Sequence, residues 1–198
     1  MPRSSIGLII LAAGASTRMG SPKQLLPFSG KSLIRYSVQN ALASKCFPIV
    51  VVLGANKDLI KLELEDLPVF VAENPDWKQG MASSIHAGLE MLLTAYPGVK
   101  GGIIMLCDQP FVTTLFLNHL VDTFEKDQRH IIASYYGNDF GVPAVFPKKL
   151  FDELSALEGN AGAKKLIQQY SAEVIPVVFP EGLVDIDTPE DYLGLQSL

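Results

Sequence analysis

The sequence predicts a three-layer α/β/α fold built on one mainly parallel sheet. Three observations carry this. The segments Ile6–Ala12, Pro48–Leu53 and Gly102–Cys107 are continuous apolar runs without polar alternation, as strands buried on both faces require. They alternate with segments of helical apolar spacing, the order that gives a parallel sheet with helices on both sides. Distinctive polar residues then follow the strand ends, at Gly14–Lys23, Glu73–Ser84 and Asp108–Pro110. In such sheets ligands bind beyond the carboxyl ends of the strands. The 198 residues read as a single domain, 1–198, long enough to bury a substantial core.

Each element has a local reason. After the first strand, Lys31–Ser44 carries helical spacing through Leu33, Ile34, Val38 and Leu42. Asn56–Glu65 reads as a helix and Pro68–Ala72 as a short strand. Gly80–Tyr96 is helical through Met81, Ile85, Leu89 and Leu92. Thr113–Lys126 reads as a helix with the threonine as its cap. Ile131–Ser134 and Val142–Phe146 are strands split by the polar turn Tyr136–Gly141. Helices over Pro147–Leu157 and Gly162–Tyr170, a strand at Val174–Val178 and a terminal helix from Pro189 complete the chain.

Composition limits the function. At 48% apolar and 19% charged residues the chain is globular, and its formal charge of −5 argues against a general nucleic-acid or membrane-surface binder. Cys46 and Cys107 are too few for a thiolate metal cluster and read as reduced core residues, which fits a cytoplasmic protein. Met1–Ser5 is too short and polar for a signal peptide, and no apolar run reaches membrane-spanning length.

The most informative stretch is IGLIILAAGASTRMGSPKQLLP, from Ile6 to Pro27. A buried strand gives way to small residues, so that backbone N–H groups at Ala12, Ala13, Gly14 and Ala15 can approach a phosphate, with Arg18 and Lys23 to neutralise its oxygens. The common phosphate-loop spellings fail: Lys23 stands between Pro22 and Gln24, and no G-x-G-x-x-G opens a helix. An ordinary strand-to-helix connection with two solvated cations is the alternative reading.

Asp108 ends the run GGIIMLCDQP, where a carboxylate at the lip of a strand is a rigid oxygen ligand for a hard cation such as Mg²⁺; the alternative is a turn or cap. In DIDTPEDY, Asp185 and Asp187 point the same way if the segment is extended, while Asp187 or Thr188 also suits the cap of the helix at Pro189. In NPDWKQGMASSIHAGL, Gly80 would permit close approach and Ser83 and Ser84 could bond a base or ribose, or only satisfy free amides at a helix start. Trp77 reads as a packing anchor. His86, His119 and His130 form no ligand pattern, and no arrangement for covalent catalysis is evident.

Taken together, LAAGASTRMGSPKQLLP resembles the signature loop of the MobA-like nucleotidyltransferases, with molybdenum cofactor cytidylyltransferases the most similar branch. NPDWKQGMASSIHAGL, LCDQPFV, GVPAVFPKKLF, EGNAGAKKL and DIDTPEDY are similar to that family's later blocks, in order, over nearly the whole chain. The resemblance implies a Rossmann-like fold of the nucleotide-diphospho-sugar transferase type. It also implies transfer of a nucleoside monophosphate from an NTP to a phosphate-bearing acceptor, molybdopterin, with release of pyrophosphate. Leu11, Ala12, Ala13, Gly14, Arg18 and Lys23 would then hold the triphosphate, and Gly80, Ser83 and Ser84 the base and ribose. Asp108 would bind Mg²⁺ with Asp187 as second ligand and Asp185 in reserve. The resemblance implies Arg18, Lys23 and Asp108 as the catalytic set. The spelling LAAG implies CTP over GTP, and a molybdoenzyme is a candidate protein partner. Asn160 and Lys164 depart from the family's G-D-x-G-A-R block, which puts acceptor recognition in question. Guanylylation, transfer to a sugar or polyol phosphate, and a non-catalytic nucleotide-binding accessory are the competing readings, with a nicotinamide-dependent oxidoreductase behind them.

Overall fold

The computed structural model describes residues 4–195; of the polar start Met1–Ser5, residues 1–3 lie outside them. In chain order the first half contains β1 (Ile6–Ala12), β2 (Pro27–Phe28), β3 (Lys31–Ser32), α1 (Leu33–Ala43), β4 (Ile49–Leu53), α2 (Lys57–Leu62), β5 (Phe70–Glu73), α3 (Met81–Ala95) and β6 (Gly101–Leu106). The second contains α4 (Thr114–Lys126), β7 (Ile132–Tyr136), β8 (Asp139–Pro147), α5 (Phe151–Ser155), α6 (Ala163–Gln169), β9 (Ile175–Val178) and α7 (Pro189–Leu195).

The main sheet has seven strands in the order β5-β4-β1-β6-β8-β7-β9. All its pairings are parallel except those of β8, which runs antiparallel to both β6 and β7. Every residue of β1 is buried, and the two-residue period sends its side chains to two separate cores. Leu8 and Ile10 pack with Ile34 and Val38 of α1, Ile60 of α2 and Leu120 of α4. Ile9 and Leu11 pack with Ile85 and Leu89 of α3, Phe151 of α5 and Ile167 of α6. The fold is therefore the expected three-layer sandwich.

Its connections place the ligand edge. From β1 the chain passes through α1 to β4 on one side, and from β5 it returns through α3 to β6 on the other. The strand order thus reverses between β1 and β6, and a crevice opens beyond their carboxyl ends.

Local departures from the sequence reading have physical causes. The helix expected from Lys31 starts at Leu33, because Lys31 and Ser32 first pair with Phe28 and Pro27 as a small hairpin. Ser32 then caps α1 by accepting from the Arg35 amide at 3.3 Å. The segment Pro147–Leu157 divides into a 3₁₀ turn, Lys148–Leu150, and the short α5. The β7–β8 turn is tighter than Tyr136–Gly141: only Gly137 and Asn138 lie between the strands, both with positive φ (58° and 65°), as a two-residue hairpin turn needs. Thr113 caps α4 as expected, accepting from the Phe116 amide at 3.2 Å.

Both cysteines are buried and free, and burial pushes the Cys46 thiol up to about 12. Among the described residues no helix is long and apolar enough to cross a membrane.

Candidate active site

The loop after β1 is not a helix start. Pro22 and Pro27 interrupt it, and a 3₁₀ turn at Lys23–Leu25 is its only helical piece among the described residues. Leu11, Ala12 and Ala13 are buried, whereas Gly14 is exposed and a Cβ added there would meet nothing within 4 Å. Gly14 therefore leaves open space on the ligand side. Ser16 holds the left-handed conformation (φ 53°); its hydroxyl accepts from the Lys23 amide at 3.1 Å and donates to Gln24 Oε1 at 3.3 Å. Gln24, 1% exposed, donates from Nε2 to the carbonyls of Ala12 (3.1 Å) and Gly14 (2.9 Å). Nothing in the motif pointed to Gln24, yet it fixes the loop from beneath.

This loop forms one wall of a cleft of about 540 Å³ at the β1–β6 crevice. Leu11, Ala12, Ala13, Gly14, Arg18, Lys23, Gly80, Ser84, Asp108 and Asp187 all line it, so the residues singled out from distant parts of the sequence converge, Ser83 excepted. The Lys23 ammonium donates to Asp108 Oδ2 and, at 3.0 Å, to Asp187 Oδ1. Arg18 Nη2 donates to Asp187 Oδ2 at 2.9 Å. Burial alone would lower the Lys23 pKa; the Asp108 charge and the hydrogen bonds to Asp108 and Asp187 outweigh it and hold the ammonium well above its ordinary value. The Lys23 bond holds Asp187 below the usual carboxylate range, assisted by the charges of Lys23 and Arg18.

Asp108 is fixed from several sides. The Cys107 amide donates to the Leu11 carbonyl at 3.3 Å, and the Cys107 carbonyl accepts from Ser37 Oγ of α1 at 3.2 Å. The Ile186 amide donates to the Asp108 carbonyl at 3.1 Å, which ties the C-terminal segment to the lip of β6. Asp108 Oδ1 is buried and has no hydrogen-bond partner.

The capping alternatives for DIDTPEDY separate cleanly. Thr188 Oγ1 accepts from the Asp191 amide at 3.3 Å, and Asp191 Oδ2 accepts from the amides of Thr188 (2.8 Å) and Asp187 (3.1 Å). This reciprocal box caps α7 and leaves the Asp187 carboxylate to the cations. Asp185 also lines the cleft. The cleft walls desolvate its carboxyl, the charges of Asp108 and Asp187 add to the effect, and its pKa is pushed up to about 6.

The opposite wall is the segment before α3. Asn74, 4% exposed, donates to both Ser83 Oγ (2.9 Å) and Ser84 Oγ (3.0 Å) and accepts from the Asp76 amide (2.9 Å). It was not singled out in the sequence. Ser84 faces the cleft, whereas the Ser83 hydroxyl has its one proton within reach of the Gly80 (2.9 Å) and Asp76 (3.1 Å) carbonyls and lines a neighbouring cavity. Gly80 has φ 114°, and a Cβ there would stand 2.2 Å from the Gly159 carbonyl oxygen. Trp77 packs against the α3-side core, and its Cβ lies 2.6 Å from where a Cβ on Gly54 would be. Asn160 lines the cleft beside Gly80; Lys164 instead pairs with Asp139 at 2.7 Å.

The neighbouring cavity is larger, about 620 Å³, but its lining contains Glu73, Asp76, Glu90 and Glu158 and no Lys or Arg. Such a wall repels a triphosphate. The cleft with Arg18 and Lys23 is the one suited to a polyanion.

For a metal, the donor set is spare. Among the described residues no group of three or more His, Cys, Asp or Glu could hold an ion. Asp108, with its unpartnered oxygen, and Asp187 across Lys23 fit an ion that takes one or two carboxylates and completes its shell with phosphate and water oxygens, as Mg²⁺ does.

Comparisons with known proteins show the family and the fold. Residues 8–174 match the MobA-like NTP transferase domain. The chain is 31% identical to the nicotine blue oxidoreductase of Paenarthrobacter nicotinovorans, with 94% of each protein covered. It is 26% identical to the molybdenum cofactor cytidylyltransferase of Escherichia coli, covering 96% of this chain and 95% of that one. The crystal structure of Rv0371c from Mycobacterium tuberculosis superimposes with a TM-score of 0.85 at 27% identity over the whole of both chains, and a manganese complex of Rv0371c has also been solved.

Proposed function

Because the chain belongs to the MobA-like NTP transferase family, a family of nucleotidyltransferases, we propose that it transfers CMP from CTP to molybdopterin, in a Mg²⁺-dependent reaction that releases pyrophosphate. The observation that carries this reading is the meeting of Arg18, Lys23, Asp108 and Asp187 in one cleft at the β1–β6 crevice. The cations suit a triphosphate, and the two carboxylates suit the ion that accompanies it.

An oxygen of the acceptor phosphate attacks the α-phosphorus of the nucleotide. The bond from the α-phosphorus to the bridging oxygen breaks, and pyrophosphate leaves with that electron pair. Lys23 and Arg18 stabilise the charge on the equatorial oxygens and on the leaving group, and Ala12, Ala13 and Gly14 let the backbone approach the phosphates. Asp108 and Asp187 would hold Mg²⁺, which neutralises the triphosphate when bound. Gly80 and Ser84 face the base and ribose, with Ser83 acting through the Asn74 bonds that fix this wall. The acceptor phosphate is already ionised at neutral pH, so no strong general base is required. The chemistry suits a cytoplasmic enzyme that passes its product to a molybdoenzyme.

CTP is favoured by the LAAG spelling and by the relative named for cytidylyl transfer. The test is a pyrophosphate-release screen of four NTPs against molybdopterin carrying its metal, and against sugar and polyol phosphates. Turnover is expected with CTP and molybdopterin; preference for GTP, or for another acceptor, would replace that part of the reading.

A second reading, an oxidoreductase, is favoured by the name of the 31% identical relative, with a nicotinamide cofactor as the form of it to test. The loop after β1 lacks the glycine pattern that places a dinucleotide pyrophosphate on a helix N-terminus. Oxidation of NADH or NADPH by the purified protein, without pyrophosphate release from any NTP, would reverse the order of the two.

A further inference from the structure

We propose that the Lys23 ammonium holds the cation position between Asp108 and Asp187 while substrate is absent, and gives it up when a triphosphate offers its own oxygens. Metal binding then depends on nucleotide. The inference rests on the metal-dependent reading above and deepens it. In the structure the ammonium lies between the two carboxylates, and the Lys23 side chain is only 14% exposed. A cation held by Asp108 and Asp187 would meet this ammonium directly, and two positive charges cannot share so small a space in a partly dry cleft.

The surroundings make such an exchange feasible. The Lys23 backbone is anchored by its amide bond to Ser16 Oγ, and neighbouring Gln24 is tied to the loop carbonyls. Only the four-carbon side chain has to move, and its new partners, triphosphate oxygens, would lie in the same cleft. Arg18 is suited to the same departure: its side chain is 69% exposed and is bound to Asp187 alone among the described acids. As both cations turn to phosphate, Asp108 and Asp187 become free to coordinate. Lys23 therefore serves the empty and the loaded states with one charge, satisfying the acids in the first and the phosphates in the second.

The experiment titrates Mn²⁺, followed by its spin resonance, into wild-type protein, Lys23→Met and Lys23→Arg, with and without CTP. Mn²⁺ bound by CTP in solution is subtracted. Wild type is expected to bind Mn²⁺ weakly alone and more tightly with CTP. Lys23→Met should bind Mn²⁺ without nucleotide about tenfold more tightly than wild type, since a competing charge is gone. Lys23→Arg, which keeps the charge, should not. Adding Asp108→Asn to Lys23→Met should abolish the gain. Lys23→Gln gives the same reading should Lys23→Met fail to fold. Equal or weaker Mn²⁺ binding by folded Lys23→Met, with wild type still tightened by CTP, overturns the exchange and leaves the metal-dependent reading standing. Failure of every form to bind Mn²⁺ even with CTP overturns both.

Discussion

The side-chain amide of Gln24, buried beneath the loop after β1, donates to the Gly14 carbonyl across 2.9 Å. A second donation from the same nitrogen reaches the Ala12 carbonyl, so one side chain sets the spacing of the small-residue loop. Gln24→Glu would turn a carboxylate oxygen toward those carbonyls. It should cost about 2–3 kcal/mol of stability, read by urea unfolding. The apparent KM for the nucleotide should rise as the loop loses its shape; an unchanged midpoint and KM would deny Gln24 this role.

Asp108→Asn should lower kcat/KM for pyrophosphate release by about a thousandfold or more, roughly 4 kcal/mol of transition-state stabilisation. The fold should survive, since Asp187 remains a partner for Lys23. Stopped-assay kinetics beside a far-ultraviolet circular dichroism spectrum give both readings. Activity near that of wild type in a folded variant would remove Asp108 from the metal site.

Gly80→Ala should be among the most damaging single-methyl changes in the molecule. The new carbon would have to sit at a φ of 114° and 2.2 Å from the Gly159 carbonyl oxygen. Strain of this kind costs about 1–3 kcal/mol, or roughly 3–10 °C in thermal midpoint for a chain of this size. The wall proposed to face the base would shift with it, so nucleotide affinity should fall in isothermal titration. A variant as stable as wild type would show that this turn relaxes freely.

Asp185 gives a pH signature. Its folded pKa, pushed up to about 6, exceeds the ordinary carboxylate value, so the folded state binds its proton more tightly than the unfolded state does. Burying this group is without cost below the unfolded value and becomes unfavourable as pH rises through about 6. Asp185→Asn should therefore stabilise the substrate-free protein at pH 8 by about 1 kcal/mol, discounted for partial solvation, and not at pH 4. Thermal midpoints of both proteins from pH 4 to 8 decide this. A gain that is the same at both ends would mean the carboxyl does not titrate in that range.

Chelation with EDTA should abolish pyrophosphate release, and excess Mg²⁺ or Mn²⁺ should restore it, because the carboxylates suit any small oxygen-seeking divalent ion. Full turnover in chelator would remove the metal from the proposed chemistry.

Much of this was readable before any coordinates. β1 follows from an unbroken apolar run, and α4 from its spacing plus the Thr113 cap. The cleft was legible because chemistry-bearing residues stand at strand ends, so Arg18, Lys23, Asp108 and Asp187 could be picked from segments far apart in sequence. What was not legible was the support. Gln24 and Asn74 are single amides whose importance lies in buried bonds to atoms they do not neighbour in sequence. The orientation of Ser83 away from Ser84 depends on which helix face meets the sheet, and composition carries no signal for that. The β2–β3 hairpin escaped because its strands are two residues each, too short for a period to show.

The lone reversed strand, β8, has a consequence for how such an enzyme could diversify. β7 runs with β6 to the ligand edge and β8 turns back from it, so the Gly137–Asn138 tip between them stands on the same rim as the lip of β6. Insertions at an exposed two-residue tip leave the interior undisturbed. Evolution could therefore lengthen or recolour this corner, while the cleft proposed to take the triphosphate, rooted in strands sealed on both sides, stays as it is.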